Sequence, residues 1–365
     1  MRSRIATLAA ACTCAMIMTA GPALAQSGNS PGPTPGPVTE ITSGLVSPLK
    51  VAFGPDGSFL VAESFAGLLS SISATGEKSV LVNAPGQEIA GVSYQDGTTY
   101  YFNNDQGAGP EPGGVLLPAR LMKITSAGVT TQITDLSEFE ATDNPDGDTI
   151  YGVRDASDEC LDLAPYMQSP GELFSHPYSS VPGDDGVYVG DAGANAILHV
   201  TDDGDVTLVK ALRAEPIEID AAVIALAAQM GMIVPDCMLG LTYYAQPVPT
   251  DVTVKGQWLY YTVLPGVPGE GLGVGKVYRV HLQSGVTQLL AENLAAPTGI
   301  AVSRDNTVYV AQLFGDGVST VKNGCTVNVL PAMMASDVQV KGNTLVALTN
   351  ALAATGGSLV TMRLR

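Results

Sequence analysis

Three histidines are the only imidazoles in this 365-residue chain, and their positions bound the acid–base chemistry it can perform. His199 and His281 sit in corresponding third strand-like phrases of two units, AILHVT and KVYRVH, and read as packing residues. His176 opens a third phrase, HPYSSV, and is the one candidate for a catalytic role, as a general base. No G-x-S-x-G supplies a nucleophile elbow. The run GEGLGVGK (269–276) lacks phosphate-loop spacing, has Val277 where Ser or Thr is needed and precedes a strand, so it reads as a glycine-rich loop.

Oxygen donors are more plentiful. Glu63, Asn103, Asp191 and Gln312 each close a strand-like phrase at the same point of a repeating unit. Set around a central channel, such side chains could bind a ligand. Glu63 and Asp191 in particular could hold Ca²⁺, which takes six to eight oxygen ligands. The competing expectation is that they cap strands. The acidic runs DNPDGD (143–148) and TDDGD (201–205) lack the twelve-residue spacing and closing Glu of a calcium loop, so they read as turns.

Of five cysteines, Cys12 and Cys14 lie in the N-terminal apolar segment. Cys160 and Cys237 sit in two long insertions and are expected to form a disulfide, with Cys325 left as an odd, buried thiol at the start of an outer strand. No C-x-x-C or His/Cys cluster suggests structural zinc.

These residues need a scaffold, and the scaffold is a repeat. A first strand-like phrase recurs six times: SPLKVAF (47–53), EIAGVSY (88–94), HPYSSV (176–181), VPTDVTV (248–254), APTGIAV (296–302) and ASDVQV (335–340). Each is followed by a second and a third β-rich phrase, and five units add a fourth. The sixth unit ends at its third strand, while VTEIT (38–42) stands unpaired before the first. The expected fold is all-β: a six-bladed β-propeller of four-stranded blades, the N-terminal strand completing the last blade.

Turns between strands one and two, and three and four, are short and rich in Gly, Asp and Asn, as tight hairpins require. The long segments all fall at the opposite ends of the strands. They are two-to-three loops in blades two and four, and the insertions 139–175 and 211–248. Within the second insertion, 216–230 has the composition of a short helix. One face of the disc should therefore be loop-rich, and loops on rigid scaffolds carry function.

The ends and the charge place the chain. Residues 1–25 have Arg2 and Arg4, an apolar run and Ala23-Leu24-Ala25, the layout of a signal peptide cleaved after Ala25. A Pro/Gly-rich linker (26–37) follows, then the propeller (38–365). Cleavage removes two of 17 basic residues and none of 35 acidic ones, taking the net charge from −18 to −20. Such a field disfavours nucleic acid and anionic lipid, and no later stretch is apolar enough to span a bilayer. The expected location is secreted or periplasmic.

The phrase HPYSSVPGDDGVYVGDAGANAILHVTDDGDV (176–206), preceded by DNPDG (143–147), resembles the ScyD/ScyE family of bacterial exported propellers, relatives of NHL-repeat propellers. The match rests on Asn144 to Gly147, Pro177-Tyr178, Asp191-Ala192-Gly193 and Asn195; SPLKVAFGPDGSFLVAES and VPTDVTV also fit. His176 stands where that family usually has Asn, and the segment 148–175 is long. The resemblance implies an exported propeller with no established catalytic residues, and it singles out Asp191 and Asn195 as a site. Together these readings favour a binding or interaction protein, with its surface at Glu63, Asn103, Asp191, Asn195 and Gln312. Its partner would be a small molecule, an extracellular polymer or a protein. The alternative is a Ca²⁺-dependent hydrolase or lactonase-like enzyme working through the channel.

Overall fold

The computed structural model describes residues 36–105 and 116–364; the expected signal peptide, most of the expected linker and the centre of the blade-two loop lie outside them. The described residues form seven four-stranded antiparallel sheets, where the sequence pattern predicts six blades. Six of them follow the repeat. Their innermost strands are Pro48–Phe53, Gln87–Gln95, Pro177–Pro182, Pro249–Lys255, Pro297–Val302 and Asp337–Lys341.

These strands form because apolar and small residues alternate with neighbours that face the adjoining sheet. The consequence is a series of cores lying between sheets. Val51, Val61 and Ile72 of the first pack with Val346, Leu348 and Leu359 of the last. Leu60 and Leu69 pack with Ile89 and Tyr101, and Phe102 and Leu121 with Val187 and Val189. Ile197 meets Leu259, Val277 meets Ile300 and Val310, and Ala311 meets Val338 and Leu345. Each sheet thus buries both faces against its neighbours, and the last returns to the first. A fully buried Leu, Ile or Val side chain stabilises by roughly 1.5–3 kcal/mol, so the seal between sheets is apolar.

The termini meet as expected. Val38–Leu45 pairs antiparallel with Gly357–Arg363, with Thr39 opposite Thr361 and Thr42 opposite Leu359. The N-terminal strand supplies the outer edge that the C-terminal sheet lacks, joining chain ends within one hydrogen-bonded ladder.

The seventh sheet corrects the reading of the insertions as loops and one helix. Ile150–Val153 and Gln168–Pro170 come from the first insertion, and Glu215–Glu218 and Thr242–Ala245 from the second. Gly152 and Val153 pair with Tyr244 and Tyr243 across the two. The helix forms as Ala221–Gln229, shorter than expected, because Asp220 caps it by accepting from the amides of Ala222 and Val223. Val153, Ile219, Val223 and Met238 give this sheet its own core. The Cys160–Cys237 disulfide joins the two insertions, with Cα atoms 6.1 Å apart. Cys325 is an exposed thiol, not a buried one, because the first four residues of the outermost strand of its sheet are all exposed.

Candidate functional site

The inner strands share a local irregularity that builds the site. Pairing with the second strand slips by one residue at Pro48/Lys50, Pro177/Ser179, Pro249/Asp251 and Pro297/Gly299. A bulge re-aims side chains at a strand end. The bulged residues Leu49, Tyr178, Thr250 and Thr298 line one cavity of about 420 Å³. Phe65, Ala192, Leu264, Leu313 and Leu352, which follow the second strands of five sheets, complete its mostly apolar wall. Starts of first strands and ends of second strands lie at the loop-rich face, so the cavity is the mouth of the ring on that side.

Its polar feature is a pair. His176 Nε2 lies 2.5 Å from Glu88 Oε2, and both line the cavity. Burial alone would drive His176 down and Glu88 up. The charge and hydrogen bond each gives the other overcome this, so the histidine titrates above its ordinary range and the carboxyl below. The pair thus favours its charged form, an imidazolium beside a carboxylate. Asp191 positions it from behind: its carboxylate accepts from the His176 amide at 2.7 Å and the Ser175 hydroxyl at 2.6 Å.

Beneath the mouth, charged residues of three inner strands meet. Lys50 Nζ lies 3.1 Å from Asp251 Oδ1, donates to Thr298 O at 2.6 Å and sits 5.0 Å from the centre of the Tyr178 ring. Asp251 accepts from Ile300 N at 2.6 Å, and Asp337 from Val51 N at 2.7 Å. All three charged side chains are nearly inaccessible to solvent, and burial pushes both aspartates up despite Lys50. The cationic position among these carboxylates is taken by the protein's own ammonium group.

Glu63, Asp191, Asn195 and Gln312 turn sideways instead of into the mouth. Glu63 accepts from Val46 N, Ser70 Oγ and Lys78 Nζ. Asp191 also accepts from the amides of Gly193 and Ala194, and Gln312 from Ala295 N. Each ties the end of a second strand to the segment entering its own sheet, satisfying buried donors. Asn195 accepts from Val248 N and donates to Asp146 and Gln246. The strand holding Asn103 runs on to Asp105, and it is Asn104 that is buried, donating to Pro177 O. None of these side chains shares a partner with Glu63, and among the described residues no three His, Cys, Asp or Glu side chains group to hold a metal ion. Of the residues singled out in sequence, His176 is the one that reaches the cavity.

Sequence reasoning passed over Glu88 and Lys50. A signal for the channel existed: aligned on Val51, Val252 and Val338, the first phrases put Lys50, Asp251 and Asp337 in one column, where apolar residues would be expected. The Glu88–His176 pair had no such signal, since its members are 88 residues apart.

No family model matches the chain, and no curated protein matches it. Solved structures share its fold. The PQQ-bound aldose sugar dehydrogenase of Streptomyces coelicolor is 14% identical, with a TM-score of 0.55 covering 91% of this chain and 99% of that one. A gluconolactonase from Xanthomonas campestris is 10% identical, with a TM-score of 0.53 over 90% and 89%. A putative glucose dehydrogenase from Thermus thermophilus is 16% identical, with a TM-score of 0.53 over 89% and 99%. At such identities the likeness is one of fold: this chain is a β-propeller of four-stranded antiparallel sheets, an architecture shared by enzymes and binding proteins.

Proposed function

We propose that this chain is an exported, six-bladed propeller of the ScyD/ScyE type, with the cross-insertion sheet added to the ring, and that it binds a small molecule at the mouth of its loop-rich face. The ligand class is an apolar, ring-sized body carrying one hydrogen-bonding head. The observation that carries this is the cavity itself. About 420 Å³, apolar walls and one convergent polar pair make the usual composition of a small-molecule site. Glu88 can accept from a ligand hydroxyl or amine, and the Nδ1 of His176, its Nε2 being engaged by Glu88, can donate to a carbonyl.

Export is supported by the Cys160–Cys237 disulfide, which suits an oxidising compartment, and by the leader-like residues 1–25. Among the described residues no helix is long and apolar enough to cross a membrane. The calcium-dependent hydrolase reading finds less support, because Lys50 occupies the channel beside Asp251 and Glu63 is engaged by Val46, Ser70 and Lys78.

Thermal-shift screening with indole, phenol, naphthol and their aliphatic counterparts tests the binding reading. Stabilisation by ring-bearing members, lost in Thr298→Phe, which fills the cavity, supports it. Uniform absence of a shift in the unmodified protein would count against it.

A further inference from the structure

The opposite face carries a second site of different chemistry. Between the fourth and fifth sheets, on the side of the tight turns, lies a cleft of about 840 Å³. Lys255, Arg279 and Lys322 line it, with a single acid, Glu292. In a chain with 35 acidic and 17 basic residues, three bases on one cleft is a local reversal of sign. Among the described residues none of the three makes a salt bridge.

Arg279 is held in place by neutral groups alone. Its Nε and Nη2 donate to Gln288 Oε1 at 3.0 and 2.7 Å, and its Nη1 to Tyr260 OH at 3.3 Å. The guanidinium centre stands 4.2 Å from the centre of the Trp258 ring. Such contacts fix the geometry of the charge without neutralising it. Leu289, half exposed beside them, adds an apolar wall.

We propose that this cleft binds a small organic oxyanion: a phosphate or carboxylate facing Lys255, Arg279 and Lys322, attached to an apolar or aromatic body resting on Trp258 and Leu289. The size limit follows from screening. Charges act over about 8 Å at physiological ionic strength, so a short anion inside the cleft feels the cations. A long polyanion would extend over the acidic remainder of the surface.

Trp258 is the sole tryptophan, so its fluorescence reports this cleft and not the mouth cavity. The mature protein is titrated at constant ionic strength with phenyl phosphate, inorganic phosphate, benzoate and phenol. The expected result is a saturable change with phenyl phosphate and benzoate, a weaker one with inorganic phosphate and none with phenol. Lys255→Gln with Lys322→Gln, checked for an unchanged circular dichroism spectrum, should weaken phenyl phosphate by about tenfold or more, equal to 1.4 kcal/mol or more. Glu88→Gln with His176→Gln should leave the response intact. No saturable change, or equal affinity in the double lysine variant, would overturn the proposal. So would a response to phenol matching that to phenyl phosphate.

Discussion

Asp146 and Asn195 meet at 2.8 Å, amide nitrogen to carboxylate, although 49 residues separate them. One belongs to the N-P-D-G segment of the first insertion, the other to D-A-G-x-N at the end of a second strand. The two phrases that carry the family resemblance are thus halves of one buried contact. Tyr151 donates to the same carboxylate oxygen at 2.9 Å, and Asn195 accepts from Val248 N at 3.0 Å. Asn195 therefore ties the insertion sheet to the entry of the fourth inner strand.

Removing that tie should be costly. Asn195→Ala leaves the Val248 amide without an acceptor and takes a donor from Asp146, two losses of about 1–3 kcal/mol each. Urea denaturation should show a drop of about 2–4 kcal/mol in unfolding free energy, on the same scale. A drop below 0.5 kcal/mol would mean the contact is peripheral.

The ring itself was legible because alternation and turn chemistry repeat in every unit, and because VTEIT had no partner until the C-terminal sheet supplied one. The seventh sheet was not. Its strands run three or four residues, too short for a periodic signal, and Gly152 meets Tyr244 only after the chain has built another sheet between them. Likewise Glu63 and Gln312 were visible as polar strand ends. Whether such an end faces the mouth or its own sheet depends on a rotation the sequence does not encode locally.

Glu140 offers a pH-dependent prediction. It is almost wholly buried, and burial with the nearby charges of Asp191 and Asp146 raises its carboxyl to about 8. In the unfolded chain the group titrates near 4.5. The folded form holds the proton more tightly, so stability is full below the unfolded value and falls as pH rises towards 8. Glu140→Gln, neutral at every pH, should gain up to about 5 kcal/mol over the wild type at alkaline pH and little in mild acid, in line with the free energy of a proton shifted from 4.5 to about 8. Melting curves across that range check the divergence; parallel curves would contradict it.

Lys50 pairs with buried Asp251, and its charge also acts on buried Asp337 in the axis of the ring. Lys50→Met should destabilise by about 3–5 kcal/mol, the usual cost of leaving a buried charge unpaired. Removing one of the two carboxyl groups with Asp251→Asn should recover part of the loss. If the double variant is no better than the single one, charge balance is not what Lys50 provides.

The disulfide closes a loop of 77 residues, for which chain entropy gives about 4 kcal/mol. Cys237→Ser should lower stability on that scale, with amide exchange rising first in Ile150–Val153 and Thr242–Ala245. Exchange rising evenly through all seven sheets would argue against a separable insertion unit.

The most direct test of ligand binding at the mouth is a crystal soak with indole and naphthol, compared with the unsoaked protein. The prediction is new density among Leu49, Tyr178, Leu264 and Leu313, with the polar atom of the ligand in hydrogen-bond reach of Glu88 or His176. Density confined to other surfaces, or a mouth closed by Phe65 and Leu352 with no room for either molecule, would contradict it.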